Sequence, residues 1–279
     1  MNSTRQNINS TEDFTVYNGE GTVLRRAQLT MLDILVIVDE ICKKHNIPYW
    51  LDYGTLLGAV RHGGFIPWDD DLDVSVMHQD FKRLEEIFAR ELPEKLAYQD
   101  WKNEKKLTLK CAKIRDKNSF FDDGLAEKGG AKYQGIYIDI FPLKQIPSVW
   151  IKKKVDFLYG RCFRRLKGVK TGSSDTFMAY LLWPIALFGA FVSNTLGMIK
   201  SRALVSNIFG GLNIQVFHPL EDIFPLTEIE FEGKHFPVPK NYDAYLTRIY
   251  NNYMEIPAKD KRQIHANGIE FFDEGTRTN

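Results

Sequence analysis

The segment Trp68-Asp69-Asp70-Asp71-Leu72-Asp73-Val74 sets four carboxylates in five positions. Like charges this close repel, so such a cluster is tolerated at a surface or around a cation. Asp71 and Asp73 stand two apart, which on a strand directs both to one face. Leu72, Val74 and Val76 are left to anchor the other face in a core. A hard divalent ion takes oxygen ligands placed in this way. Asp139 is a third candidate, because it interrupts the apolar stretch Gly135-Ile136-Tyr137-Ile138-Asp139-Ile140-Phe141. A carboxylate there is costly unless it is paired, hydrogen-bonded or metal-bound. The plain alternative is a solvated acidic turn plus one hydrogen-bonded buried Asp. A calcium loop would also begin Asp69, Asp71, Asp73, but it needs Gly and Glu where this chain has Val74 and Asp80.

Upstream, Tyr53-Gly54-Thr55-Leu56-Leu57-Gly58 reads as a strand passing through Gly into a helix start. Backbone N–H groups at a helix N-terminus attract anions, and Gly54 allows close approach, so Gly54 and Thr55 are candidate phosphate contacts. A phosphate cradle followed by paired carboxylates is what phosphoryl transfer requires. Arg61 and His62 could hold a diphosphate, or Arg61 could pair with the Asp cluster. Lys110, Lys113 and Arg115 lie along a strand candidate, with Lys113 and Arg115 on one face, either neutralising phosphate or facing water. Trp50, Tyr53 and Trp68 could box a quaternary ammonium, or could simply be core.

The stretch from Ile47 to Asp73, IPYWLDYGTLLGAVRHGGFIPWDDDLD, resembles the signature of the LicD family of phosphotransferases, related to the fukutin-type ribitol-phosphate transferases. Gly135 to Leu143 is similar to the family's second motif. Asp222-Ile223-Phe224-Pro225-Leu226 and Phe236 to Leu246 are similar to its C-terminal part. The resemblance implies a nucleotidyltransferase-type fold, an α/β (α+β) mixed sheet flanked by helices. It implies Mg2+ or Mn2+ held by Asp71 and Asp73, with Asp69 and Asp139 as further candidates. Asp139 is also implied as a catalytic carboxylate, as ligand, general base or both. The implied reaction passes phosphocholine, or a related phospho-alcohol, from a CDP-alcohol donor such as CDP-choline to a glycan or lipid-linked glycan acceptor, with release of CMP. Teichoic acid precursors belong to that class of acceptor.

These residues need elements to position them. Leu24, Met31, Leu32, Leu35, Val38 and Cys42 recur at helical spacing, ending in Lys43, Lys44 and His45, which suit a helix C-terminus. Tyr49-Trp50-Leu51 reads as a strand, Leu56 to Arg61 as a short helix, and Leu72 to Met77 as a strand. His78 to Leu92 reads as an amphipathic helix, and Leu107 to Ile114 and Gly135 to Phe141 as further strands. A hairpin around Glu232-Gly233 and a helix from Tyr242 to Tyr253 follow, while the first twenty residues read as an arm or edge strand. The expected division is a catalytic core at 1–149, a helical insertion at 150–216 and a C-terminal part of the same domain at 217–279.

The insertion differs in composition. Lys152 to Lys170 carries eight basic residues against Asp156 alone, and Met178 to Ile199 then runs without a charge. A buried helical hairpin, a shallow insertion at a membrane interface and a true span each fit that run. The basic stretch upstream would attract an anionic leaflet, which favours docking on a membrane surface.

Over 279 residues, 44% apolar and 26% charged, the composition is that of a globular chain and not of a disordered or fibrous one. Thirty-seven basic against 36 acidic residues leave a net charge of +1, unlike a nucleic-acid coat. Three cysteines, Cys42, Cys111 and Cys162, form no CxxC pair, and the polar N-terminus shows no secretory signal. A cytoplasmic protein, peripheral at most on the inner face of the membrane, is the expectation. Two rivals to phospho-alcohol transfer remain: a nucleotidyltransferase releasing pyrophosphate, and a non-catalytic membrane scaffold. The presence of all three expected carboxylates argues against the scaffold.

Overall fold

A computed structural model describes residues 12–100, 111–122, 132–146, 148–150, 153–154, 157–158, 162, 173–199, 204–207 and 216–272. The arm at 1–11, the strand start at 107–110 and most of the basic stretch lie outside them.

The first long helix runs Val23–Lys44 (α2), after a single turn at Thr15–Asn18 (α1). Thr22 caps it by accepting from the Arg25 N–H. Its expected apolar stripe, Leu24, Met31, Leu32, Leu35, Val38 and Cys42, is buried throughout. Then follow β1 (Tyr49–Leu51), α3 (Tyr53–His62), β2 (Asp73–Met77) and α4 (His78–Glu91). Helix α4 buries Phe81, Leu84, Ile87 and Phe88, the i, i+3, i+6, i+7 face that its sequence prescribes.

Strands β3 (Leu96–Asp100), β4 (Ala112–Asp116) and β6 (Tyr137–Ile146) complete a central path ordered β1-β2-β6-β4-β3. Strand β6 runs parallel to β2 and antiparallel to β4, so the sheet is mixed as expected. Ten residues long, it outreaches those partners, and its far half pairs with β7 (Leu204–Asn207), which pairs in turn with the short β8 (His218–Pro219). Two small antiparallel pairs flank the sheet. Strand β5 (Ser119–Asp122) pairs with β11 (Gly268–Phe271), and β9 (Thr227–Phe231) with β10 (Lys234–Val238). Glu232 and Gly233 join the latter pair with φ of 51° and 74°, a turn that needs left-handed backbone at both central residues.

The C-terminal elements, α6 (Leu220–Ile223) and α7 (Tyr242–Tyr250), pack back onto the front of the chain. Arg25 forms a two-pronged ion pair with Glu232, at 3.0 and 2.7 Å, and Glu232 also accepts the Phe65 N–H. Arg262 grips Glu12 at 2.7 and 2.8 Å and lies 4.5 Å from the centre of the Trp68 ring.

The uncharged stretch in the middle lies within one continuous 27-residue helix, Ser173–Ile199 (α5), with Pro184 inside it. It is not a hairpin, nor is it buried: Tyr180, Leu181, Phe188 and Phe191 are each at least 60% exposed. Pro184 does not break it, because the i−4 carbonyl it leaves unpaired can face water on the exposed side. No helix among the described residues is long and apolar enough to cross a membrane.

Candidate active site

Sheet register brings the site together. Asp73 on β2 lies opposite Asp139 on β6, and Asp139 lies opposite Lys113 on β4. Lys113 in turn lies opposite Gln99 on β3. Side chains paired across neighbouring strands project to the same face, so these residues form one polar row across a sheet whose other face is apolar. Asp73 and Asp139 are 8% and 7% exposed, so Asp73 is a buried carboxylate and not the water-facing one its motif suggests. Residues two along extend the same face with Ser75, Tyr137 and Arg115.

Lys113 is buried, and its Nζ sits 2.8 Å from Asp139 Oδ1 and 2.9 Å from Oδ2. The same ammonium lies 3.4 Å from the centre of the Tyr137 ring. Burial is the largest influence and lowers the Lys113 pKa, but Asp139, Tyr137 and Cys111 together outweigh it and the net shift is upward. Cys111 Sγ donates to Asp139 Oδ1 at 3.4 Å. Arg115 reaches past the site, donating through Nε to Gln99 and through Nη1 to the Gly135 carbonyl.

Helix α3 locks the carboxylate strand. Asp52 caps it, accepting from the Tyr53 N–H, while the Thr55 hydroxyl accepts from the Asp73 N–H at 2.8 Å. The sequence marks Thr55 as a phosphate contact; in the structure its oxygen fixes Asp73. Gly54 abuts Asp69: a Cβ there would lie 2.7 Å from Asp69 Oδ2, so only Gly fits between helix and carboxylate. The Asp69, Asp71 and Asp73 carboxyls are all raised above the ordinary aspartate range. Burial is the largest cause in each, followed by the charges of the neighbouring aspartates. Asp69 and Asp71 also hydrogen-bond to each other.

This donor set has the chemistry of a divalent-cation site, since three carboxyls raised by burial and by neighbouring charges are relieved by a positive ion. Among the described residues, no three acidic, His or Cys groups stand in a ready-formed ligand shell. Three of the four candidates are otherwise engaged, Asp69 and Asp71 with each other and Asp139 with Lys113.

Arg61 and His62 lie at the far end of α3. Arg61 is buried; its Nη1 donates to the Tyr253 and Glu255 carbonyls and its Nε to His62 Nε2. Burial first, and then the Arg61 charge, lower His62 to about 4, so its ring is neutral near pH 7. The pair anchors the C-terminal segment. Trp50 and Trp68 are core residues. Trp50 is 0% exposed beside Phe224, and Trp68 is enclosed by Phe14, Tyr17, His62 and Arg262. They form no ammonium box with Tyr53, which packs edge-on against Phe141. Lys110 lies outside the described residues.

Two side chains from the C-terminal part reach this region without any motif to announce them. Fully buried Asp70 accepts from the backbone N–H groups of His265 and Ala266 and meets His265 Nδ1 at 3.0 Å. That contact holds His265 close enough for its charge to act on Asp71. Tyr250 feels Asp73, Asp52, Asp69 and Asp71 together, and after burial those charges are what raise its hydroxyl. Neither is recognisable in the sequence, because their partners lie almost two hundred residues away in the chain.

Residues 46–165 match the family described as LicD/FKTN/FKRP, nucleotidyltransferase domain. The lipopolysaccharide cholinephosphotransferase LicD of Haemophilus influenzae is 28% identical over 262 residues, 87% of this chain and 95% of that protein. Residues 46–165 of this chain carry a LicD-type domain. Shorter matches join the LicD-type domain to human ribitol 5-phosphate transferase FKRP, 44% identical over 46 residues, and to mouse ribitol-5-phosphate transferase FKTN, 36% identical over 50. They cover 16% and 18% of this chain, and 9% and 11% of those proteins. All three relatives are phosphotransferases by name, and the shared LicD domain supports the same class of enzyme here.

Proposed function

We propose that this chain transfers a phospho-alcohol, with phosphocholine the first candidate, from a CDP-activated donor to a hydroxyl of a cell-surface glycan. The observation that carries the reading is the near full-length match to a cholinephosphotransferase in a chain whose sheet aligns Asp73, Asp139 and Lys113. The ribitol-phosphate relatives support the same reaction class with a different alcohol.

Asp71 and Asp73 would hold a divalent ion, Mg2+ or Mn2+, with Asp69 and Asp139 beside them. When bound, the ion would offset the charge of the donor diphosphate. Raised carboxyl pKa values suit that role, because each carboxyl gives up its proton more readily once a cation is near. Thr55 keeps Asp73 in place through the strand N–H. Asp139 Oδ2 would accept the proton of the acceptor hydroxyl as that oxygen attacks phosphorus in line and CMP departs. Lys113 orients this carboxylate through both of its oxygens. The Tyr137 ring lies against the Lys113 ammonium and helps to fix it.

The test is incubation with CDP-choline, CDP-ribitol and CDP-glycerol plus magnesium, following CMP. Release of CMP with transfer of the alcohol phosphate is expected for one of them. Pyrophosphate release from a nucleoside triphosphate, with no CMP from any CDP-alcohol, would overturn the reading.

A further inference from the structure

The outer half of α5 is apolar. Placed at 100° per residue, Tyr180, Leu181, Ile185, Leu187, Phe188 and Phe191 fall on one side of the helix and are 45–68% exposed. Opposite them Ala186 is 1% exposed, and α5 packs along β6 by that side. A surface helix is normally the reverse, with its polar residues outward. Here no charged residue occurs between Met178 and Ile199, so the helix has no polar face to present.

Charge precedes it in the chain. The segment 152–170 has eight basic residues and one acidic, a net +7 in a chain whose total is +1. The rest of the protein is therefore net negative, and the positive charge is concentrated immediately before the apolar helix. Within that stretch Lys153 and Lys154 are exposed, and the aromatics Trp150 and Phe157, 70% and 67% exposed, flank them at i, i+3, i+4, i+7 spacing. Basic residues interleaved with exposed aromatics, just ahead in the chain of an apolar helix face, match an anionic bilayer surface: headgroups take the lysines and the interface takes the rings. Because the inner side of α5 is packed along the sheet, the helix is set to lie in the interface and not to cross the bilayer.

We propose that α5, with Lys153 and Lys154 ahead of it in the chain, docks this protein on an anionic phospholipid surface, with Tyr180, Leu181, Phe188 and Phe191 entering the interface and the two lysines meeting the headgroups. The proposal is independent of which group the enzyme transfers.

Flotation of the full chain with phosphatidylglycerol vesicles and with phosphatidylcholine vesicles tests it. Recovery is expected with the anionic vesicles alone, weakening as salt is raised because exposed attraction is screened within about 10 Å at 0.1 M. Leu181→Glu with Phe188→Glu should abolish recovery, and Lys153→Ala and Lys154→Ala should each weaken it roughly fivefold at low salt. Melting temperatures should stay at the wild-type value, since all four side chains face out. Equal recovery with both lipids, recovery with neither, or undiminished recovery of the Leu181→Glu, Phe188→Glu protein overturns the proposal. Sedimentation adds another arm. A dimer that the same pair of substitutions converts to monomer, without vesicle binding, would assign the face to a second copy and also overturn it.

Discussion

Lys113 meets both oxygens of Asp139, at 2.8 and 2.9 Å, from the adjacent antiparallel strand. Both groups are buried, so each charge has the other as its close partner. Removing one partner of such a pair costs about 3–5 kcal/mol, because the remaining charge is left without compensation. Lys113→Met should therefore destabilise strongly in denaturant unfolding, and Lys113→Met combined with Asp139→Asn should recover much of that loss. Additive effects of the two changes would show that the ion pair is not coupled.

A carboxylate that accepts the acceptor proton acts in the transition state. Asp139→Asn keeps the volume and one acceptor oxygen but cannot take that proton. The expected result is a kcat lowered by orders of magnitude with donor affinity nearly kept. A loss confined to donor affinity would make Asp139 a binding residue and move the base elsewhere.

Burial first, and then the charges of neighbouring aspartates, raise the Asp71 and Asp73 carboxyls. Asp71→Asn and Asp73→Asn should each abolish turnover in magnesium while leaving the melting temperature unchanged or slightly higher, as one repelling charge is gone. Near-wild-type turnover of Asp71→Asn sinks the metal assignment.

Asp52 is buried and raised to about 6 from the ordinary 3.8, burial outweighing its hydrogen bonds from Ser75, the Tyr53 N–H and Tyr245. Between those pH values the folded chain binds more protons than the unfolded one, so stability falls as pH rises through the window. Asp69, Asp71 and Asp73, also raised, act in the same direction. Asp52→Asn should raise stability near pH 7 by on the order of 2–3 kcal/mol and make little difference near pH 4. Melting curves at the two pH values decide it; a lower melting temperature of the variant near pH 7 contradicts the account.

Asp70 differs from its neighbours in the cluster, since it accepts three hydrogen bonds from His265 and Ala266. Asp70→Ala leaves two backbone N–H groups without their acceptor and should cost about 2–4 kcal/mol. Hydrogen exchange at residues 265–271 should speed up in that variant before any other segment does. Unchanged protection there would mean that β11 holds the segment unaided.

Much of this was written in local sequence. Hydrophobic period alone placed α2, α4 and the strand carrying Asp73, because a stripe at 3.6 or an alternation at two has only one way to face a core. The turn at Glu232-Gly233 was equally legible, since few residues tolerate its backbone. Long-range partnership was not. Nothing local says that Lys113 faces Asp139, that Thr55 serves Asp73, or that Arg61 spends itself on the Tyr253 and Glu255 carbonyls. These follow from strand order and register, which are set by how whole faces pack. The apolar middle segment shows the same division. Its sequence determined that α5 would carry no charge from Met178 on, and only the tertiary structure decided which side met the sheet. One helix can bury only one face against β6, so the other stays exposed.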